Sequence, residues 1–355
     1  MTGNNVVGYW ASQEQYSMQD LFKFVAEAEK GGFNSCLTSD HFHPWWHDNG
    51  YGNFTWVWIA AAAERTKSMR FITGVTAAVY RYNAAIIAQA FASLDVLYPG
   101  RIGLGIGTGE AMNEVPLGFD WPSADIRLAR TTEAIQIIKN LWDAGRRGKR
   151  RSSTIDNDND SGFVDFGGQY FKIRDPKLYT LPFSEKIPLY MAAVGEQATK
   201  TAAKYTNGLI TLTKPDKSKE IFDIFDKAAR EEGKDPDSLE KIAKPRISYS
   251  EDYDEALKST EFWRASLLQD VFNLDISDPR ELEQKAKDEV LDEKLKESTL
   301  IITSIDDCIK ALEEYFKAGY TRLYPHSTSP DEIKFIQDFS AKVLPYFNDR
   351  NSSNK

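Results

Sequence analysis

The sequence predicts a (β/α)8 barrel with an insertion after strand four. Three observations carry that prediction. Short apolar runs alternate with helix-period segments four times from the N-terminus. The runs are mostly apolar rather than alternating with polar residues, as strands of a parallel sheet buried on both faces must be. After one polar interruption the alternation resumes and reaches the C-terminus, giving about eight strands and about as many helices. A doubly wound open sheet is the runner-up. It requires a phosphate-binding glycine-rich turn after strand one, and the sequence has none there.

Val6 to Ala11 reads as the first strand. Met18 to Lys30 follows as a helix, with Leu21, Phe22, Phe24, Val25, Ala26 and Ala28 near a 3.6-residue period and Gly31-Gly32 as its stop. Phe33 to Leu37 is strand two, Thr55 to Arg65 a helix, and Arg70 to Thr76 strand three. Helix Ala84 to Leu97 closes on Tyr98-Pro99-Gly100, and Arg101 to Gly107 is strand four. A helix is expected over Ala124 to Trp142. The basic run Gly145 to Arg151 and the Asp/Asn-rich run Ser152 to Ser161 then read as a polar surface insertion. Phe163 to Ile173 looks like a hairpin turned by Gly167-Gly168. Further strands are expected at Ile187 to Val194, Leu209 to Thr213, Lys244 to Tyr249 and Tyr320 to Tyr324, with a short extended piece at Leu300 to Ile302. The helices between and after them are expected at Gln197 to Tyr205, Ser218 to Glu232, Tyr253 to Leu268, Pro279 to Glu297, Ile305 to Ala318 and Asp331 to Phe347. The domain reading is one barrel over residues 1–347, carrying an insertion and hairpin at 145–173, with a tail at 348–355.

Composition removes several classes. No run of about 18 apolar residues occurs, so a membrane-spanning helix is excluded. Met1 to Asn5 lacks the basic and apolar regions of a signal peptide. Cys36 and Cys308, in a strand and a helix, read as free thiols of a reducing, cytoplasmic compartment. A net charge of −9 in 355 residues argues against general nucleic-acid binding, and neither nucleic acid nor membrane is an expected partner.

One stretch is costly to bury and poor at packing: Thr38-Ser39-Asp40-His41-Phe42-His43-Pro44-Trp45-Trp46-His47-Asp48 holds three of the chain's four histidines. In a barrel, chemistry sits where strands end, and this stretch follows strand two. Gly74 to Arg81, Gly107 to Asn113 and Val194 to Gln197 would converge on it from strands three, four and five. His41, His43 and His47 with Asp40 and Asp48 also permit a metal reading, but the interleaved tryptophans suit a flat aromatic ligand better than a compact ion. No metal is expected. Gly103 to Glu110 does not have the dinucleotide-binding spacing. Its glycines instead let backbone approach a ligand, with Glu110 at the strand mouth. A carboxylate facing an imidazole makes a natural acid–base pair.

These residues also carry a resemblance. Ser39 to Trp45, Arg81-Tyr82-Asn83, Ala88 to Ala92, Tyr98 to Arg101 and Gly105 to Glu114 resemble the luciferase-like flavin and deazaflavin superfamily, and within it the coenzyme F420-dependent dehydrogenases. The resemblance covers nearly the whole chain apart from about Arg146 to Ser161. It implies a (β/α)8 barrel, usually a homodimer, with coenzyme F420 in the barrel mouth. It implies that Asp40 holds the deazaflavin, that His41 handles the proton with Glu110 as partner, and that Trp45 shapes the substrate site. Gly74, Val75, Ala77, Thr108, Gly109 and Asn113 would contact the cofactor, with Val194, Gly195, Gln197 and Ala198 around its phosphate. A non-prolyl cis peptide is implied near Gly74-Val75. His43, Trp46 and Lys214 are the candidate substrate residues. Where the sugar-phosphate enzymes of the family clamp a phosphate, this chain has Asn273, Ser298 and Leu212, with one lysine position near Lys214 or Pro215. An alcohol or an unphosphorylated sugar is therefore the expected hydride donor. Glucose 6-phosphate is one alternative, and a flavin-dependent monooxygenase of the same fold is the other.

Overall fold

A computed structural model describes residues 5–150 and 162–353. Its centre is a closed parallel barrel. Strand one comes in two pieces, β1 (Val6–Val7) and β2 (Tyr9–Ala11), interrupted at Gly8. The others are β3 (Ser35–Thr38), β4 (Arg70–Thr73), β6 (Ile102–Gly107), β9 (Leu189–Ala192), β10 (Gly208–Thr211), β11 (Glu240–Ala243) and β14 (Arg322–Leu323), with β5 (Thr76–Ala77) extending β4 along β6. The ladder runs β1, β14, β11, β10, β9, β6, β4, β3, β2, so it closes through the two halves of strand one. Gly8 is needed there: an added Cβ would lie 2.3 Å from the Tyr324 ring.

Helices α1 (Met18–Lys30), α2 (Thr55–Arg65), α3 (Ala84–Leu97), α5 (Ala124–Arg150), α6 (Glu196–Tyr205), α7 (Pro215–Glu231) and α11 (Ile305–Lys317) fall between the strands, with the short α4 (Ala111–Glu114) directly after β6. Ser17 caps α1 by accepting from the Asp20 amide, and Asn83 caps α3 by accepting from the Ala85 amide. The main core lies between the helices and the outer strand faces, where Trp58, Phe71, Phe91, Phe225 and Phe335 are fully buried. A smaller cluster, Trp10, Leu37, Ile72, Tyr190, Ile210, Ile242 and Tyr324, fills the barrel itself. A packed interior of this kind leaves function to the ends of the strands.

Several elements differ from expectation. Strand seven begins at Glu240, where a strand was not expected, because its first inward side chain is charged: Glu240 forks onto Arg322 of strand eight inside the barrel. The expected strand at Lys244 to Tyr249 is its continuation, β12 (Arg246–Tyr249), beyond Pro245. Strand eight likewise resumes after Pro325 as β15 (His326–Ser327). The pairing keeps one register across both prolines: Ile242 faces Arg322 below them and Arg246 faces His326 above. The prolines lack amide donors, so the ladder pauses there without slipping. Leu300–Ile302 is a strand, β13, on the far edge of β12.

Pro279 to Glu297 is two helices, α9 (Pro279–Glu289) and α10 (Asp292–Ser298). Tyr253 to Leu268 divides into α8 (Tyr253–Lys258) and a 3-10 turn at Glu261–Leu267. α5 continues to Arg150, so the expected loop at Gly145 to Arg150 is helical. The Asp/Asn-rich run at 152–161 lies outside the described residues. The hairpin is present as β7 (Phe166–Gly167) and β8 (Lys172–Ile173), paired antiparallel. The last helix forms as α12 (Glu332–Asp338), a π turn at Phe339–Val343 and α13 (Leu344–Ser353), so most of the expected tail is helical. Among the described residues no helix is long and apolar enough to cross a membrane. Both cysteines are buried and free.

Candidate active site

The C-terminal ends of the strands form one mouth, and strand two delivers Asp40 and His41 into it. Asp40 is 2% exposed and well supplied with donors. Thr76 Oγ1 donates to it at 2.6 Å, Arg81 at 3.1 Å and the Tyr82 hydroxyl at 3.3 Å. Arg81 also donates to the Asp40 carbonyl at 2.7 Å and lies over the Tyr82 ring. Its backbone amide donates to Glu114, which is fully buried. Burial pushes the Glu114 carboxyl up to about 7, against the opposing pull of Arg81. Buried carboxylates on both sides of one guanidinium fix the floor of the mouth between strands two, three and four.

His41 stands between a carboxylate and an amide. Its Nε2 is 3.4 Å from Glu14 Oε1, and its Nδ1 is 3.3 Å from Asn113 Nδ2. The Asn113 amide is oriented by its other contacts. Its Oδ1 accepts from the backbone amides of Phe42 at 2.7 Å and His43 at 3.3 Å, so Nδ2 is the donor toward both His41 and Glu110, the latter at 3.0 Å. This logic assigns neutral His41 a lone pair on Nδ1 and a hydrogen on Nε2, pointing at Glu14. Glu14 is buried and also accepts from Ser39 Oγ. Glu110 thus meets the histidine through Asn113, whereas Glu14 meets it directly. Trp45, 6% exposed, lies with its ring centroid 5.7 Å from that of His41 and is braced edge-on by Phe272.

Other expected residues fall around this group. The Gly74-Val75 peptide is cis, at the junction of β4 and β5. Ala77 is buried on β5, and an added Cβ at Gly109 (φ +75°) would lie 3.1 Å from it. Thr108, Gly109 and Glu110 are half-buried at the mouth. Val194 and Gly195 are exposed after strand five. Gly195 is the N-cap of α6, whose first turn, with Gln197 and Ala198, has no side-chain cap. Three residues sit less centrally. His43 Nδ1 contacts the Ser277 carbonyl at 3.0 Å, and His43 lines a cleft of about 510 Å3 with Pro44, His47, Pro116 and Arg280. Trp46 is buried in a cluster with Met112, Trp263 and Leu282, under Lys287. Lys214 is exposed after strand six and donates to the Glu297 carbonyl. A second cleft, of about 450 Å3, opens at the other end of β9 and β10 beside Lys139, Asn207 and Lys234, away from these side chains. Among the described residues no three His, Cys, Asp or Glu side chains are grouped to hold a metal ion.

Glu14 carried no motif in the sequence. The one signal was parity: Gly8, Trp10, Ser12 and Glu14 alternate along strand one and its extension. Asn113, expected only as a cofactor contact, proves to be the hub of the polar network.

The model of the luciferase-like monooxygenase family matches residues 5–322. An F420-dependent glucose-6-phosphate dehydrogenase of Microbacterium testaceum is 33% identical, over 95% of this chain and 96% of its own. The enzyme of the same name from Mycolicibacterium gilvum is 34% identical, over 96% and 97%. The solved structure of an F420-dependent secondary alcohol dehydrogenase, in complex with an F420-acetone adduct, superposes with a TM-score of 0.86 at 36% identity and covers 95% of this chain and 98% of that one. With a family model spanning most of its length and relatives matched nearly end to end, the chain belongs to the luciferase-like family.

Proposed function

We propose that the protein is a coenzyme F420-dependent dehydrogenase that oxidises the CH–OH group of an alcohol or sugar. The observation that carries this is His41, held at one nitrogen by Asn113 and facing Glu14 at the other, at the mouth of a barrel whose relatives are named F420-dependent dehydrogenases.

The residues fit a flat cofactor with an anionic tail. Gly107 and Gly109 line one wall, where side chains would collide with Val75 and Ala77. Gly195 leaves open space at an uncapped helix N-terminus, which suits a phosphate. Gly74, Val75, Ala77, Thr108, Gly109 and Asn113 would hold the ring, with Asp40 fixing that wall. Val194, Gly195, Gln197 and Ala198 would hold the phosphate. When bound, the deazaflavin supplies the hydride acceptor.

The chain's own residues manage the proton. His41 Nδ1 carries the lone pair, and its contact with Asn113 is long enough for a substrate hydroxyl to replace it. As Nδ1 takes the hydroxyl proton, the imidazolium is stabilised by Glu14 at Nε2. Glu110, steadied by Asn113, orients the hydroxyl. Trp45 closes the site against water. His43, Trp46 and Lys214 stand further out and would bear on substrate choice through the loops they anchor. A single barrel domain over 1–347 and a homodimer are part of this reading. The exposed apolar side chains Val57 on α2 and Ile86 and Leu97 on α3 support the dimer.

The test is F420 reduction by isopropanol, glucose and glucose 6-phosphate, followed in the wild type and in His41→Ala. We expect the alcohol or the free sugar to be used, with turnover in the variant reduced about 10²-fold or more and F420 affinity little changed. Unchanged turnover in His41→Ala would remove the proton role. Saturable activity with the sugar phosphate alone would reverse the substrate choice.

A further inference from the structure

Strands seven and eight point an unusual set of side chains into the mouth. Along strand seven, Glu240, Ile242, Lys244 and Arg246 fall on the inward parity. Arg322, Tyr324 and His326 do so on strand eight. Among the lower members, Glu240 pairs with Arg322, and Ile242 and Tyr324 pack the interior. The upper members are Lys244, Arg246 and His326. Lys244 Nζ lies 4.0 Å from the centre of the Trp10 ring and 5.9 Å from that of Trp263. Among the described residues no carboxylate comes within ion-pair distance of it and no acceptor bonds it, yet the residue is only half-buried, so it opens to the mouth. Arg246, the next inward residue along the strand, lies 5.6 Å from the same Trp263 ring. It spends one nitrogen on Ser266, while its Nε and Nη1 find no partner. His326 is fully buried against both tryptophans, with Nε2 at 3.3 Å from Ser12 Oγ and Nδ1 unpartnered.

An ammonium left unpaired against two tryptophan faces, with a guanidinium on one of the same rings, is expensive unless something anionic arrives. The acids that act on Lys244 through space are Glu14, which faces His41, and Glu110, which reaches it through Asn113, so Lys244 looks onto the same group of side chains. Burial and Arg246 bring the Lys244 ammonium down to about 8, with Glu14 and Glu110 opposing. Burial together with Lys244 and Arg246 keeps the His326 imidazole neutral. The surplus charge of this wall is therefore Lys244 and Arg246.

We propose that Lys244, backed by Arg246, is a subsite for the carboxylate of the substrate, so that the alcohol oxidised here is a short hydroxy acid. This rests on the dehydrogenase reading above and deepens it. A carboxylate suits the wall better than a phosphate dianion. One ammonium is open, the Arg246 guanidinium shares the Trp263 face with it, and the flanking surfaces are the indoles of Trp10 and Trp263. The carbinol end of such a substrate meets His41 and Glu110 while its charged end meets Lys244.

The experiment uses the full chain with F420 and matched probes: 3-hydroxybutyrate, its neutral amide, 2-butanol and glucose 6-phosphate. We expect the acid to exceed its amide in kcat/KM. In Lys244→Met that ratio should fall at least about tenfold, and Lys244→Arg should keep most of it. A second readout does not depend on turnover. Binding of 3-hydroxybutyrate should change the indole fluorescence of the wild type saturably, and the dissociation constant should rise by a similar factor in Lys244→Met. An acid-to-amide ratio near one in the wild type, or one that Lys244→Met leaves unchanged, overturns the subsite. A clear preference for glucose 6-phosphate over the acid, lost in Lys244→Met, overturns the carboxylate assignment. Absence of F420 reduction with every probe, alongside Lys244-dependent binding of the acid, would count against the dehydrogenase reading and leave the anion subsite standing.

Discussion

Replacing Asn113 with alanine is the sharpest probe of how the site is held. Asn113 is fully buried and gathers four contacts: two backbone amides onto Oδ1, and Glu110 and His41 onto Nδ2. Two are short enough to weigh heavily, the 2.7 Å bond from Phe42 and the 3.0 Å bond to Glu110. A bond to a charged acceptor contributes about 1.5–3 kcal/mol, and a neutral one about 1 kcal/mol. Their loss, with the 3.3 Å contacts adding little, costs about 3 kcal/mol. Unfolding entropy near 2.1 cal/mol/K per residue gives about 0.75 kcal/mol/K for a chain of this length, so Tm should fall by roughly 4 °C. Activity should suffer more than stability. Without Asn113, the His41 ring keeps Glu14 at Nε2 but loses the donor that holds the lone pair on Nδ1, and kcat should drop by about 10²-fold or more. Differential scanning calorimetry and F420 reduction at saturating alcohol give the two numbers. A Tm shift with unchanged kcat would mean that Asn113 serves the fold alone. Unchanged KM and kcat together with an unchanged Tm would refute the network itself.

Other expectations follow from the same contacts. Glu14→Gln keeps the shape but removes the charge facing His41 Nε2 at 3.4 Å. It should lower kcat while leaving KM nearly unchanged, as read from initial rates. Glu332 is buried, accepts from Tyr9, and has its carboxyl pushed up to about 8 by burial. A carboxyl raised in the folded state adds stability that is fully present below its unfolded value, near 4.5, and is lost as pH rises toward 8. Denaturant midpoints of wild type minus Glu332→Gln should therefore fall between about pH 5 and pH 8, and a flat difference would sink the assignment. Gly105→Ala would place a Cβ 1.9 Å from the Thr73 carbonyl oxygen of the neighbouring strand and should prevent soluble expression or lower Tm sharply. Gly167→Ala, with nothing within 4 Å, is the control that should melt like the wild type.

How much of this was legible in the sequence follows from which interactions are local. Helices α1, α2 and α3 match their sequence-read bounds because their signals lie in adjacent residues, as in the apolar period of α1 with its Gly31-Gly32 stop and the Tyr98-Pro99-Gly100 close of α3. Strand seven was hidden at its start because a barrel interior can be polar when it is paired. Glu240 is uninformative until Arg322, across the barrel, is known to meet it. The site divides along the same line. Asp40, His41, Trp45 and Glu110 are conspicuous because costly residue types cluster after strand ends. Glu14 and Lys244 stand in runs of no special composition, Ser12 to Gln15 and Ala243 to Arg246. What marks them is inward parity on strands one and seven. Parity becomes informative only when a strand's beginning is known, and strand seven's was not. Glu14, which faces His41, and Lys244, which faces Trp10 and Trp263, are thus side chains whose meaning depends on closure of the barrel. A reading of such a fold gains most by fixing strand starts first and then counting inward by twos, since every inward polar residue above the packed interior faces either a partner or a ligand.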